Sequence, residues 1–441
     1  MKFHSTRGKE PVTLVDAIMT GLAPDGGLYV PDRLPTIQPD ELSGHSLAEI
    51  SAGLLQPFFD GSEIASDLEA ICTDALNFPL PMRAARGENS SVSVLELFHG
   101  PTAAFKDVGA RFLAACMERI ESRSGRAGKP PLTILVATSG DTGGAVAAAF
   151  HRRAGVRVAV LFPRGQVSER QRHQLTCWGD NVLSLEVAGN FDDCQALVKA
   201  AFGSPELNER FRFSAANSIN LGRLLPQVAY HATAALWYWR ETGKKLNLVV
   251  PTGNLGNGLA CIWARAIGMP IDQIMLAVNA NQTVPEYLQT GEYNARSSIR
   301  TLASAMDVGD PSNMERLRQL VPDWQSLRQQ LRSHSVSDSE IRQQIASDFE
   351  QFGEIWCPHT ATGFAAYDAL PQSVRDSGHW AVCATAHPAK FESIVEPVIN
   401  REVAVPAELA NILELPSRSV QVEPQLEAVD NALSDWATTV R

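Results

Sequence analysis

The chain has 441 residues, of which 44% are hydrophobic and 20% charged, as is ordinary for a globular protein of two or three domains. Its net charge of -11 opposes general binding to nucleic acid or to an anionic membrane. No segment approaches the ~20 uninterrupted apolar residues of a membrane span. We therefore expect a soluble protein with neither nucleic acid nor membrane among its partners.

Seven cysteines are scattered along the chain, and none is spaced as a C-x-x-C pair. This pattern predicts free thiols in a reducing compartment, without disulfides. No spacing of His, Cys and carboxylate residues indicates a metal site. The first eight residues lack the apolar core of a signal peptide. We expect a cytoplasmic protein.

The first 90 residues predict a mainly helical region. Apolar residues at helical spacing predict three helices, at residues 12–22, 46–59 and 63–75. The sequence Asp25-Gly26-Gly27 predicts a turn into a short apolar run that ends before Pro31. This region carries no obvious chemistry by itself.

From about residue 91, the pattern changes to strand, loop and helix. Apolar runs typical of buried strands occupy residues 91–98, 132–137, 156–162, 182–187, 246–250, 274–278 and 380–385. Helices are predicted between them at residues 108–120, 145–153, 168–176, 192–202 and 257–267. The fold class is therefore α/β, with open, mostly parallel, twisted sheets covered by helices on both faces. Ligands in such sheets bind at the carboxyl ends of the strands.

The last third of the chain is more polar. Residues 281–355 predict helices and loops, including a charged helix at 337–352 that begins with the capping box Ser337-x-x-Glu340. After Pro397 we expect a surface helix and a tail.

Lys106 stands out because it follows a strand and a Gly-Pro turn and lies where a helix begins. The first turn of a helix has a positive potential, which favours acidic residues and disfavours a protonated amine. One interpretation is a solvated lysine beside Asp107 as the cap. The other is a lysine whose neutral, nucleophilic form is favoured, as Schiff-base chemistry requires.

Two glycine-rich loops, residues 138–144 and 251–258, each follow a buried strand and precede a helix. Such loops allow close approach of the backbone to an anion, although tight turns also need glycine for steric reasons. Neither loop contains G-x-G-x-x-G, and the chain has neither a P-loop nor a G-x-S-x-G elbow. A phosphate cradle without a nucleotide signature, combined with Lys106, favours pyridoxal phosphate (PLP).

The chain resembles the threonine synthase family, within the fold type II PLP enzymes, over about residues 5–395. The resemblance is carried by DGGLYVP at 25–31, FHGPT at 98–102, FKD at 105–107, SGDTG at 139–143, NSIN at 217–220 with Arg223, Pro226 and Gln227, GNLGN at 253–257, PSNMER at 311–316 and ATAHP at 384–388. One departure is Leu255, where the family usually has phenylalanine.

The resemblance implies three regions: an N-terminal region at 1–90, a PLP-dependent catalytic region at 91–400, and a C-terminal helix and tail at 401–441. Within the catalytic region, about 112–225 would form a smaller substrate-side subdomain, and the remainder a larger cofactor subdomain.

The resemblance also implies site residues. Lys106 would be the catalytic residue and would bind the cofactor through an imine. The cofactor-binding residues would be Gly253, Asn254, Leu255, Gly256 and Asn257 around the phosphate, and Thr385 at the pyridine nitrogen. Substrate-binding candidates are Ser139, Gly140, Asp141, Thr142, Asn313, Arg316 and Lys390. No metal is implied. His99 and His387 lie in matched motifs, and packed histidines are commoner than catalytic ones.

The implied activity is PLP-dependent conversion of O-phospho-L-homoserine and water to L-threonine and phosphate, a step of threonine biosynthesis, by a monomer or homodimer. One alternative is a γ-lyase that converts the same substrate to 2-oxobutanoate. Others are a non-catalytic phosphometabolite-binding protein and an unrelated nucleotide-binding enzyme, which the absent fingerprints disfavour.

Overall fold

The computed structural model of the protein describes residues 1–87, 90–123, 129–138 and 140–439. The N-terminal region is mainly helical, as the sequence predicts. Thr13 and Ser46 form capping boxes that begin its first two helices. Its elements are β1 (Phe3–Ser5), α1 (Leu14–Thr20), β2 (Tyr29–Pro31), α2 (Leu47–Phe59) and α3 (Leu68–Ala75).

Strands and helices then alternate. Ser168 caps its helix as predicted, through its side chain and the backbone N–H of Gln171. The elements of this part are β3 (Met82–Ala84), β4 (Val92–Glu96), α4 (Lys106–Arg123), β5 (Leu132–Ala137), α5 (Asp141–Phe150), β6 (Val156–Pro163), α6 (Glu169–Thr176), β7 (Val182–Val187), α7 (Phe191–Gly203), α8 (Pro205–Phe211) and β8 (Phe213–Ser214).

A 22-residue helix, α9 (Leu221–Thr242), follows and was not predicted from the sequence. All of its residues from Leu221 to Leu236 are buried, and it packs against α2, α4 and α10 (Gly256–Ala266). The other elements of this segment are β9 (Leu246–Pro251), β10 (Ile271–Val278) and α11 (Thr283–Thr290).

The remaining elements include two short strands that the sequence did not indicate, β11 (Arg332–Ser335) and β13 (Val420–Val422). The segment expected to be only a helix and tail therefore also contributes a strand. The other elements are α12 (Met314–Leu320), α13 (Trp324–Gln330), α14 (Asp338–Phe352), α15 (Pro358–Asp368), α16 (Gln372–Arg375), β12 (Trp380–Ala384), α17 (Glu392–Ile399), α18 (Ala407–Leu413) and α19 (Leu426–Thr439).

Two sheets organise the described chain. The larger has the strand order β11-β10-β9-β12-β4-β3, and all of its neighbours are parallel except β3 and β4. The smaller has the order β13-β7-β6-β5-β8 and is parallel throughout. Strands β1 and β2 form a separate antiparallel pair. The strands of the smaller sheet come from residues 132–214 and 420–422. The division of the catalytic region into a smaller and a larger subdomain remains our proposal.

The carboxyl ends of four strands meet around one cavity. The loop after β9 contains residues 252–255, β12 is followed by Thr385, and β4 leads to Lys106 at the start of α4. The loop after β5 leads to Asp141 at the start of α5. This is where ligands bind in parallel sheets. Among the described residues, no helix combines the length and apolarity required to cross a membrane.

Candidate active site

The cavity contains most of the residues that the sequence singled out. Its wall includes Lys106, Asp141, Thr142, Gly253, Asn254, Gly256, Asn257 and Thr385, together with Phe105, Ser218, Arg223, Gln227, Pro251, Thr252, Ala305, Met306 and His359. The two glycine-rich loops therefore face a common space, as expected for a ligand with anionic groups.

The loop at residues 253–257 has the properties of an anion cradle. None of its five backbone N–H groups donates a hydrogen bond to another described residue. Helix α10 begins at Gly256 after Leu255, whose φ of 60° is left-handed and whose side chain does not cap the helix. In the first turn, Thr252 Oγ1 accepts only from the N–H of Gly258, at 3.3 Å. Unpaired amides at a helix N-terminus bind phosphate. The loop therefore fits the phosphate group of PLP.

Glycine is required at the start of this cradle. A Cβ atom added to Gly253 would lie 2.5 Å from Cα and 3.0 Å from the carbonyl carbon of Met306. Because both of these atoms are backbone, a rotamer change could not relieve the overlap. The close approach of two backbones leaves the space in front of the loop open for a ligand.

A hydrogen-bond network supports the cradle from behind. Asn254 Nδ2 donates to Ser218 Oγ at 2.5 Å, and Asn254 Oδ1 accepts from the backbone N–H of Ser312 at 2.6 Å. The carbonyl oxygen of Asn254 accepts from Asn313 Nδ2 at 3.0 Å. Arg316 Nη1 then donates to Asn313 Oδ1 at 2.9 Å. This network fixes the orientation of Asn254.

Arg316 and Asn313 are not in the cavity wall, although the sequence suggested that they bind substrate. The guanidinium of Arg316 is 1% exposed, and it also donates to the carbonyl oxygens of Tyr29 at 3.0 Å and Ile219 at 2.8 Å. All three of its nitrogens are therefore used by protein acceptors. We infer a positioning role for both residues in place of substrate contact.

Asn257 holds the other end of the cradle. Its Nδ2 donates to the carbonyl oxygen of Pro251 at 2.9 Å. Its Oδ1 accepts from the hydroxyl of Tyr230 and lies 2.9 Å from Nε2 of His231, both on α9. The side chain of Asn257 thus ties the loop to the central helix, which leaves its backbone N–H for a ligand.

Lys106 is the first residue of α4 and reaches the cavity wall. Its Nζ has no hydrogen-bond partner among the described residues. Burial lowers the pKa of Lys106 to about 8, while Asp141 acts to raise it and Lys390 and Arg223 act to lower it. A readily deprotonated amine is what imine formation requires.

Thr385 lies directly after β12 and also faces the cavity. Its carbonyl oxygen accepts from the backbone N–H of Phe105 at 2.8 Å, so the strand end is joined to the segment that carries Lys106. The hydroxyl of Thr385 has no partner among the described residues. It therefore remains available to a ligand.

The side chain of Thr138 occupies two backbone N–H donors of the loop that follows β5. Its Oγ1 accepts from the N–H groups of Gly140 at 3.0 Å and Gly143 at 2.9 Å, so these two amides are already paired. The N–H groups of Asp141 and Thr142, in the first turn of α5, donate to no described residue. Ser139, a predicted substrate contact, lies outside the described residues.

Asp141 and Lys390 form a buried ion pair, 3.1 Å between Oδ1 and Nζ. Although burial favours the neutral acid, Lys390 and then Lys106 hold the pKa of Asp141 well below its usual range. Lys390 is 1% exposed and is not in the cavity wall. Its predicted contact with substrate is therefore replaced by a contact with Asp141.

Among the cavity-wall residues that the sequence did not identify as site residues, two are ionisable. Arg223, on α9, is 3% exposed, and its Nε has no partner among the described residues. His359, on α15, accepts at Nε2 from the backbone N–H of Ala305 at 3.0 Å. Burial lowers the pKa of His359 to about 4, so it is neutral at pH 7. Arg223 lies within a matched motif, which could have identified it.

The two histidines of the matched motifs have other contacts. His99 Nε2 is 2.7 Å from Glu96 Oε2, and His387 Nδ1 accepts from the backbone N–H of Ala389 at 3.2 Å. Neither lines the cavity. No group of three or more potential metal ligands occurs in the described part of the chain.

Three family models match the chain. The model for the N terminus of threonine synthase matches residues 2–76, and the model for its C-terminal part matches residues 360–433. Between them, the model of pyridoxal-phosphate dependent enzymes matches residues 79–385. The matches agree with the cradle and lysine described above, and they confirm the fold type II architecture and the PLP cofactor.

Individual threonine synthases are also similar to this chain over nearly its whole length. Threonine synthase of Escherichia coli is 37% identical, with 94% of this chain and 95% of that protein covered. The PLP-bound threonine synthase of Brucella melitensis has a TM-score of 0.90 at 33% identity and 99% coverage of both chains. Threonine synthase from yeast has a TM-score of 0.91 at 29% identity, with 100% of this chain and 99% of that chain covered. Because relatives and family models agree over nearly the whole length, this chain belongs to the threonine synthase family of PLP-dependent enzymes.

Proposed function

We propose that the chain converts O-phospho-L-homoserine and water to L-threonine and phosphate, as a PLP-dependent carbon–oxygen lyase. The observation that carries this proposal is that the unpaired amine of Lys106 lines the same cavity as four residues of the amide cradle, Gly253, Asn254, Gly256 and Asn257. Family membership supports the reaction, and this geometry supports our assignment of its residues.

The cofactor phosphate would bind to the backbone N–H groups of residues 253–257, and Thr385 would face the pyridine nitrogen. A hydroxyl at this position does not enforce a protonated ring, as a carboxylate would. When bound, PLP delocalises the negative charge that develops at the substrate carbon next to the nitrogen. Lys106 would hold the cofactor between turnovers.

Lys106 is also the group that moves protons. Once released by the substrate amine, its neutral Nζ can accept the proton from Cα, and a pKa near 8 suits both removal and return of a proton at neutral pH. Proton transfers at the neighbouring carbons permit loss of phosphate from Cγ and addition of water at Cβ. Lys106 is the only amine on the described cavity wall, which supports several of these transfers being its own.

Arg223 is proposed to bind the substrate phosphate. It is the only guanidinium in the described cavity wall, and it forms no ion pair with a described carboxylate. Its Nη1 donates to the carbonyl oxygen of Ala216 at 2.6 Å and its Nη2 to that of Lys106 at 3.5 Å, while Nε is buried beside Gly109. Each Nη carries a second N–H, and a guanidinium N–H is a strong phosphate partner because the hydrogen bond is charge-assisted.

The substrate carboxylate is proposed to bind at the start of α5. The free N–H groups of Asp141 and Thr142 lie at a helix N-terminus, which favours an anion. The side chain of Asp141 would repel a carboxylate if it were alone, but Lys390 neutralises it. Gly140 is not in the cavity wall, and its own N–H is bonded to Thr138, so we assign it no contact with the carboxylate.

We propose that the enzyme acts in the cytoplasm as a monomer or homodimer. All seven cysteines are free and buried, as suits a reducing compartment. Light scattering after gel filtration gives the mass, and a tetramer would contradict the proposal.

The deciding experiment uses purified protein, PLP and O-phospho-L-homoserine. We expect yellow protein, equal amounts of phosphate and threonine, and little 2-oxobutanoate. Reduction with borohydride should fix the cofactor to the peptide that contains Lys106. A dominant keto-acid product would identify a γ-lyase instead. A colourless protein that cannot be reconstituted would leave only a phosphometabolite-binding protein.

A further inference from the structure

Asp141 is the only carboxylate in the described wall of the cavity. Its Oδ1 accepts from Lys390 Nζ at 3.1 Å and from Gln171 Nε2 at 3.3 Å. The backbone on either side of it is also held, because the N–H groups of Gly140 and Gly143 both donate to Thr138 Oγ1. The carboxylate is therefore held in one orientation beside the cavity.

Lys390 connects this carboxylate to the segment that carries Lys106. Its Nζ also donates to the carbonyl oxygen of Thr102 at 2.7 Å. The backbone N–H and hydroxyl of Thr102 donate to the two carboxylate oxygens of Asp107, at 2.8 and 2.7 Å. Asp107 is the neighbour of Lys106 on α4. One buried ammonium thus joins the start of α5 to the start of α4.

Ionisable groups from three other elements line the same cavity as Lys106: Asp141 on α5, Arg223 on α9 and His359 on α15. Lys390, in the turn after β12, lies behind Asp141, with its Nζ 3.1 Å from Oδ1. His359 is neutral above about pH 5, because burial lowers its pKa to about 4. The remaining neighbours are two cations and one anion. Asp141 is therefore the only one of these neighbours that favours the protonated amine.

We propose that Asp141, fixed by Lys390, is the counter-charge of the Lys106 ammonium and sets the proton state of this amine whenever it is free. Lys390 disfavours the Lys106 ammonium in two ways. As a cation it disfavours the Lys106 ammonium directly, and by pairing with Asp141 it also reduces the negative charge that Lys106 experiences. Lys390 is a positioning residue, because it does not reach the cavity. The proposal takes only the role of Lys106 from the proposed function.

This arrangement predicts shifts of opposite sign for two variants. Asp141→Asn removes the counter-charge, so the pKa of Lys106 should fall by about one to two units. Lys390→Met removes a competing cation and frees Asp141 to pair with Lys106, so the pKa of Lys106 should rise by about one unit. A residue with only a structural role would not produce opposite shifts.

The test measures the proton state of Lys106 directly. The full-length chain, freed of cofactor, is labelled with a trace of an amine-acylating reagent from pH 6 to 11, and mass spectrometry follows the peptide that contains Lys106. The exposed Lys244 is the internal reference. Circular dichroism checks that each variant is folded. The matched control for Lys390→Met is Lys244→Met, with the peptide of Lys129 as its reference, and the control for Asp141→Asn is Asp192→Asn at an exposed position.

We expect the midpoint for Lys106 to shift down in Asp141→Asn and up in Lys390→Met, with no change in the controls. Shifts of the same sign, or none, would overturn the proposal. If either single variant fails to fold, the double variant Asp141→Asn/Lys390→Met replaces it, because removal of both charges leaves neither unpaired. The double variant is compared with the single variant that folds: its midpoint should lie below that of Lys390→Met, or above that of Asp141→Asn, and a midpoint equal to that of the single variant would overturn the proposal.

The loaded enzyme provides a second measurement. The acidic limb of the pH profile of kcat/KM should move in the same directions as the labelling midpoint, and Lys390→Arg should restore the wild-type profile. The labelling requires no turnover. If the wild-type chain formed no threonine while the midpoints shifted as expected, the proposed function would fail and this inference would stand.

Discussion

Gly253 and Met306 contact each other through their backbones, with no side chain between them. The turn at Ser304–Met306 is in turn fixed by His359, which accepts the N–H of Ala305. The phosphate cradle therefore rests against a second fixed segment, and its shape depends on the absence of a side chain at position 253.

The first prediction concerns this contact. Gly253→Ala places a methyl group against the backbone of Met306, so the cradle must move and its amides lose their alignment. We expect at least a ~10-fold weaker affinity for PLP, equivalent to ~1.4 kcal/mol. Absorbance titration of the cofactor-free protein measures it. Gly203→Ala is the control, because a methyl group there meets open space. Equal affinities in both variants would contradict the assignment of the cradle.

The second prediction concerns the amine. Lys106→Ala should abolish threonine formation and remove the borohydride-fixed cofactor, because no other amine lies in the described cavity wall. The fold should persist, because alanine favours helix and a buried charge is removed. Product assays and thermal unfolding test the two parts, with Lys244→Ala as the control. Normal turnover in Lys106→Ala would show that another group performs the chemistry.

The third prediction concerns the substrate phosphate. Arg223→Lys keeps the charge but loses the planar set of donors, so KM for O-phospho-L-homoserine should rise at least ~10-fold. The cofactor absorbance should persist. Inhibition by free phosphate should weaken in parallel, and Arg342→Lys, at an exposed arginine, should change neither quantity. A variant with unchanged KM and only lower stability would indicate that Arg223 is purely structural.

The fourth prediction tests whether Arg316 supports the phosphate cradle or contacts the substrate. Arg316→Lys leaves buried acceptors unpaired, among them the carbonyl oxygens of Tyr29 and Ile219. It should lower the free energy of unfolding by roughly 3 kcal/mol and weaken PLP binding. Denaturant unfolding and absorbance titration measure these effects, with Arg342→Lys again as the control. If only KM for the substrate rises, Arg316 contacts substrate after all.

The fifth prediction concerns pH. The pKa of His359 is lowered to about 4, whereas an unfolded histidine titrates near 6.5. Between these values the unfolded chain binds more protons, so this contribution to stability is complete above pH 6.5 and is lost as the pH falls towards 4. His359→Gln should reduce the slope of unfolding free energy in that window by about 1.4 kcal/mol per pH unit. Urea unfolding at several pH values measures this slope. His45→Gln, at an exposed histidine, should leave it unchanged.

Strands of the sheet interiors could be predicted because each is a short, continuous apolar run. Strand β5 begins and ends at the predicted residues, and β9 extends one residue beyond its predicted end. Helix α9 was missed although its apolar residues recur at helical spacing, as at Leu221, Leu225 and Val228. Gly222 and Pro226 near its start resemble helix breakers.

The candidate site likewise contains residues whose role the sequence could predict and residues whose role it could not. Lys106 and the cradle could be identified because their local sequence, a turn or glycine loop between strand and helix, already determines their chemistry. The places of Arg316 and Lys390 could not. Each is a cation in a matched segment, and only the folded chain reveals that backbone carbonyls surround one and that Asp141 neutralises the other.

Strand β13 completes the edge of the smaller sheet from the last part of the chain. The carbonyl oxygen of Val422 accepts from the N–H of Ala188, next to β7, and the N–H of Arg418 donates to the carbonyl oxygen of Thr176. During synthesis, β7 therefore remains an open sheet edge until residues 420–422 leave the ribosome. A chain cut short by a late stop codon would carry a nearly complete active site together with an unprotected edge strand, which is a template for aggregation.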